Sequence, residues 1–112
     1  MTQANNNLYE GMFIISSALT DDARAKALEK VTEEITRRGG EIHKIHDMGR
    51  KRMAYEINGH RDGHYYLIYF SVAPTAIVEM KSEYRLMPDL IRLMILRAKQ
   101  VMEKIEFQPL EI

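Results

Sequence analysis

Apolar positions along the chain recur every second residue, then every third or fourth, and then every second again, and this change of period marks out strands and helices. "LYEGMFIIS", from Leu8, reads as a strand with Tyr9, Phe13 and Ile15 on one face and Met12 and Ile14 on the other. Apolar side chains on both faces predict a central strand. "SALTDDARAKALEKVTEEITRRGG" predicts a helix: Thr20 caps it, Asp21 and Asp22 sit at the positive end of its dipole, Arg37 and Arg38 at the negative end, and Gly39 stops it. Leu28, Val31 and Ile35 line its buried stripe, which leaves Glu29, Lys30, Glu33 and Glu34 to water.

"EIHKIHDMGRKRMAYEI" is a long strand, in which Ile42 and Ile45 fall on opposite sides of a regular pleat while Met53, Tyr55 and Ile57 agree with one another. A bulge or bend near Gly49 would reconcile its halves. "NGHRDG" reads as the hairpin loop and "HYYLIYFSV" as the returning strand. "APTAIVEMKSEYRLMPD" gives a second helix with Pro74 and Thr75 at its start, Ile77, Met80 and Tyr84 on its buried stripe, and Pro88 beyond its end. "LIRLMILR" is the last strand. Residues 1–7, polar and aperiodic, read as a flexible N-terminal extension, residues 8–97 as the domain, and residues 98–112 as a tail that adds a turn of helix.

Strand, helix, strand, strand, helix, strand is the split βαβ order of a ferredoxin-like α+β fold, a four-stranded antiparallel sheet with both helices on one face. The other face is then open. Alternation sends Tyr66, Ile68, Phe70 and Val72 to the helices, so Leu67 and Tyr69, with Met12 and Ile14, form an apolar surface that needs a cover.

With 112 residues the chain supports one core, and with no cysteine it offers neither a disulfide framework nor a thiolate cluster. No apolar run approaches the roughly 20 residues that span a bilayer, and no signal-peptide core precedes the domain, so a cytoplasmic protein is expected. Net charge is zero, which at first sight argues against nucleic acid. Residues 41–105, however, hold eleven Lys and Arg against eight Asp and Glu, so positive charge is concentrated in the second half. A polyanion contact would be local, or shared with a partner.

The chemistry-bearing residues favour binding over catalysis. His43 and His46 lie three apart on a strand and point to opposite faces, which does not suit a shared metal. There is no phosphate-binding glycine loop and no serine in a nucleophile motif. Acylphosphatases use this fold, but "SSALTD" carries no glycine and ends in an acid that would repel phosphate. Neither an enzyme, a metal, a cofactor nor a small-molecule substrate is expected. The triplet Arg50, Lys51 and Arg52, with Tyr55 close by and Tyr65, Tyr66 and Tyr69 on the partner strand, joins cations to aromatic rings as RNA surfaces do. The third strand lacks the aromatic and glycine signature of an RRM, so base stacking on the sheet is not the first expectation. Arg92 stands within the apolar "LIRLMIL" and must reach solvent, a carboxylate or a phosphate. Tyr84 continues a buried stripe and reads as core.

Three stretches, "YEGMFII", "RGGEIHKIHDMGRKRMAYEINGHRDGHYYLIYF" and "EYRLMPDLIRLMILR", closely resemble the ribosomal protein S6 family of the bacterial small subunit, from about Leu8 to Arg97. The resemblance implies a non-catalytic ribosome component of ferredoxin-like fold that pairs with ribosomal protein S18 and, with it, binds the central domain of small-subunit ribosomal RNA. A basic partner would then supply the charge this chain lacks. Lys51 and Arg52 match the family's basic pair before "MAY", and Arg92 and Arg97 match basic positions of the last strand, as RNA or partner contacts. Arg50 is charged where an apolar residue is also seen, and Met12, Ile14, Leu67 and Tyr69 are candidate open-face partner contacts. "EFQPLEI" contains no long acidic run of the kind some relatives modify with glutamate. The rival expectation is a stand-alone ferredoxin-like regulatory or catalytic domain that buries its open face by homodimerising.

Overall fold

The computed structural model describes residues 6–103; the outer parts of the expected extension and tail, 1–5 and 104–112, lie outside the described residues. Strands β1 (Asn7–Ser16), β2 (Glu41–Ile57), β3 (His60–Val72) and β4 (Leu90–Arg97) alternate with helices α1 (Asp21–Arg37) and α2 (Ala76–Tyr84). They form one antiparallel sheet in the order β2-β3-β1-β4, the ferredoxin-like arrangement, with β2 and β4 at its edges. Among the described residues no helix is long and apolar enough to cross a membrane.

The strand alternation assigns the faces. Tyr9, Phe13 and Ile15 of β1 and Tyr66, Ile68, Phe70 and Val72 of β3 meet Val31 and Ile35 of α1 and Ala76, Met80 and Tyr84 of α2 in one core. Thr20 caps α1 by accepting from the Ala23 N–H at 3.1 Å. At the other end Gly39, at φ +84, lets its own N–H reach the Thr36 carbonyl and the Gly40 N–H reach that of Ile35, a Schellman stop. In α2, Met80 and Tyr84 are buried, and the Tyr84 hydroxyl donates to the Val31 carbonyl at 2.8 Å. That bond pins α2 to α1.

Three expectations need correction. Glu34 is not left to water: it is 2% exposed and pairs with Arg37 and Arg38, while Arg38 also bonds Glu79 at 2.8 Å. Packing of α2 against the end of α1 closes over Glu34, which α1's own periodicity does not reveal. The hairpin turn is two residues, Asn58 (φ 48) and Gly59 (φ 84), so His60 to Gly63 belong to β3. Positive φ at both positions is the type I′ geometry that Asn-Gly favours. Over residues 98–103 the chain makes no helical turn; it bonds back to the sheet instead.

β2 contains the expected irregularity beside Gly49 and two more, one near His43 and one between Arg52 and Ile57. Register shifts fall between Ile42 and Lys44 and between Asp47 and Gly49. The first brings Ile42, opposite Phe70, and Ile45, opposite Ile68, onto the helix-facing side.

Candidate functional site

Cross-strand partners share a face, so the register assigns each cation of the hairpin. Lys51 lies opposite Gly63 on the open side, whereas Arg50 lies opposite His64 and Arg52 opposite Asp62 on the helix side. Arg50 places its Nε and Nη2 3.3 and 3.0 Å from Asp62 Oδ2, and Ser17 donates to Asp62 Oδ1 at 2.5 Å. The Ser17 hydroxyl and then the Arg50 guanidinium hold the Asp62 carboxyl below its ordinary pKa. Arg52 is exposed nearby.

Beneath this pair, His64 stacks on Tyr66 with centroids 4.7 Å apart and donates to Asp47 at 2.6 Å. Burial alone would raise the Asp47 pKa, but hydrogen bonds from His64 and the Gly49 N–H outweigh it and hold it low. Arg24 of α1 donates to the Tyr66 hydroxyl at 3.1 Å and closes the network. His43 and His46, the spaced pair, serve separate partners, Ser71 and the Met102 carbonyl.

On the open side the hairpin reaches across the sheet. Arg92 of β4 lies opposite Ile14, and its guanidinium donates to the Tyr55 hydroxyl at 2.9 Å, a contact between residues 37 apart. That hydrogen bond, then the charge interaction between the same pair, holds the Arg92 pKa above its ordinary value. Lys51, Tyr55 and Arg92 therefore share the open side. Arg97 does not join them. It lies opposite Tyr9, on the helix side and at the far end of β4.

The four open-face candidates stand in the expected rows: Met12 between Leu67 and Met94, Ile14 between Tyr65 and Arg92, Tyr69 beside Glu10 and Lys44. Their exposure differs from expectation, because Ile14, Leu67 and Tyr69 are buried and Met12 half-buried. The exposed apolar surface is instead Met94 and Leu96 of β4, at 49% and 52%. Sequence reasoning missed these two, although the signal was present: if Leu93 and Ile95 pack inward, alternation sends Met94 and Leu96 to the open face.

The family model described as Ribosomal protein S6 matches residues 8–97. The small ribosomal subunit protein bS6 of Protochlamydia amoebophila is 55% identical over 111 residues, 99% of this chain and 97% of that one. The Chlamydia pneumoniae protein of the same description is 56% identical over 110 residues, 98% of each chain. A crystal structure of 30S ribosomal protein S6 from Thermotoga maritima superposes with a TM-score of 0.78 at 34% identity, covering 83% of this chain and 88% of that one.

Proposed function

The chain belongs to the ribosomal protein S6 family, a non-enzymatic component of the small ribosomal subunit, and from that premise we propose that it binds the central domain of small-subunit ribosomal RNA together with ribosomal protein S18. As part of the ribosome it works in the cytoplasm. The observation that carries the reading is the Arg92–Tyr55 hydrogen bond, which gathers cations and an exposed aromatic ring on one side of the sheet from two distant strands. Guanidinium forks suit phosphate oxygens, and an aromatic ring 62% exposed offers a stacking surface to an unpaired base.

Zero net charge limits what this chain does alone. A surface with few cations releases few counterions, so a basic protein partner beside it adds the missing electrostatic attraction. Lys51 and Arg92 form the RNA-side group on the open face, Arg52 is a further RNA contact from the helix side beside Arg50 and Asp62, and Arg97 serves the opposite end as a separate contact. The exposed Met94 and Leu96, with Met12, Ile14, Leu67 and Tyr69 behind them, belong to the protein partner. The domain unit is residues 8–97, with 1–7 and 98–112 as its flanks.

The test is a gel-shift titration of the central-domain RNA fragment with this chain, with S18, and with both, at two salt concentrations. Only the mixture should bind tightly. Alanine at Lys51, Arg52 or Arg92 should weaken it by about threefold to tenfold and lower the salt slope by about one. A mixture that binds no better than either protein alone would overturn the reading, and a concentration-stable homodimer indifferent to RNA would favour its rival.

A further inference from the structure

Residues 98–103 cross the face that the helices leave open. The Ala98 N–H bonds the Leu8 carbonyl at 2.9 Å, so the chain departs from beside β1. At the opposite edge, His46 Nε2 donates to the Met102 carbonyl at 2.7 Å, and Lys44 Nζ lies 3.2 Å from Glu103. β4 and β2 are the two outer strands. Crossing from one to the other spans about 14 Å of sheet, which the steps from Ala98 to Glu103 cover at about 17 Å when extended.

The path runs over the row Leu96, Glu10, Tyr69, Lys44. Tyr69 in that row is 2% exposed, whereas Leu96, where the segment has not yet crossed, is 52% exposed. The Tyr69 phenol has its pKa raised by burial and by Glu10, while a hydrogen bond with the Met102 backbone acts the other way. The outermost of these ties, the Lys44–Glu103 pair, is slight. Glu103 is 77% exposed and Lys44 38%, and ion pairs this open to solvent are weak.

The uncovered strip along β4, where Met94 and Leu96 are exposed, is on the order of 130 Å² in plan, one strand wide and eight residues long. Stable protein complexes use about 800 Å² per partner, so a protein docking on the open face needs the part that the segment crosses as well.

We propose that residues 98–103 are a cover built into the chain, lying across the open face from β4 to β2 until the protein partner displaces them. This rests on the partner reading above. The partner then binds only the uncovered fraction of molecules, and its apparent affinity falls by that fraction.

The full chain contains no cysteine, so a pair can be introduced without interference. In Lys44→Cys/Glu103→Cys, dibromobimane would join the two thiols and lock the cover, and Glu103→Cys treated with monobromobimane controls for the reagent's bulk. Binding is read with S18 and the central-domain RNA fragment. The linked chain should bind at least about tenfold more weakly than the unlinked variant. Separately, Glu103→Gln should loosen the cover and tighten binding by about twofold to fivefold, the range an exposed pair supplies. Linked chain that binds like unlinked chain overturns the cover while leaving the function intact. Should the unlinked double variant itself fail to bind, Glu103→Gln decides, and unchanged affinity there overturns the cover. Wild-type mixture that fails to bind removes the function reading itself.

Discussion

Each charged side chain of the hairpin has a different use, and Arg50 shows how closely position governs it. Its neighbours in sequence point to the other face, while Arg50 meets Asp62, which also takes the Ser17 hydroxyl. Both contacts favour the ionised carboxylate, so the folded pKa of Asp62 is depressed. A depressed carboxyl contributes stability that is fully present above its unfolded pKa, about 3.9, and is lost as pH falls through the folded value. Asp62→Asn lacks this contribution at every pH. Thermal melts should therefore show wild type above Asp62→Asn by a constant margin from neutrality to about pH 5, closing below about pH 4. A margin that persists into strong acid would show that Ser17 and Arg50 do not act on the carboxylate. Glu34 presents the buried case. With its carboxylate 2% exposed between Arg37 and Arg38, Glu34→Ala leaves two guanidinium groups without their shared partner, and urea unfolding should register a loss of about 2–4 kcal/mol.

At the scale of elements, ends and turns follow local rules while registers follow packing. The Schellman stop of α1 depends on Gly40 as well as Gly39: a Cβ on Gly40 would stand 2.7 Å from the Ser71 carbonyl of β3. Backbone on a central strand cannot yield as a side-chain tip can, so Gly40→Ala should cost about 1–3 kcal/mol in chemical denaturation. No loss would mean that the α1–β2 connection shifts freely, contrary to its close approach to β3. The same division explains what was legible in the sequence. Thr20, Gly39, the strand alternation and the ferredoxin-like order were readable because they rest on interactions within a few residues. The His43 irregularity was not, since a bulge is fixed by cross-strand pairing, which here sets Ile42 opposite Phe70 and against the core and Ile45 opposite Ile68 on the same side. Glu34 was misplaced because its burial is imposed by α2, residues away along the chain. Of the site, residue types were readable and grouping was not: Tyr55 meets Arg92 across 37 residues and His46 meets Met102 across 56, separations at which periodicity carries no information. Arg92 and Arg97, five residues apart on β4, by contrast face opposite sides as strand alternation alone requires.

Over the whole molecule, burial falls off steeply from the core towards the hairpin tip, and with it the expected local stability. Ile68 and Phe70 are fully buried between the helices and the open-face residues. Ala54, Tyr55 and Glu56 are exposed, and the β2–β3 ladder breaks register between Arg52 and Ile57. A tip held by a two-residue turn, an exposed hydrogen bond from Arg92 to Tyr55 and an exposed Arg61–Glu56 ion pair should open without disturbing the core. Amide hydrogen exchange should therefore find Ala54, Tyr55 and Glu56 exchanging at least about a hundredfold faster than Ile68 and Phe70, the ratio expected of local against global opening when the two differ by about 3 kcal/mol. If the tip is the RNA-side surface, adding S18 and the RNA fragment together should slow those three amides while leaving Ile68 and Phe70 nearly unchanged. The order of events matters here. A tip that must be ordered by its ligand spends part of the binding free energy on ordering, and Tyr55→Phe, which releases Arg92, should enlarge that share and weaken RNA binding without lowering the melting temperature appreciably. Uniform protection along β2 and β3 in the free chain would instead make the hairpin a rigid arm, with Arg92 and Tyr55 already set in place before any RNA arrives.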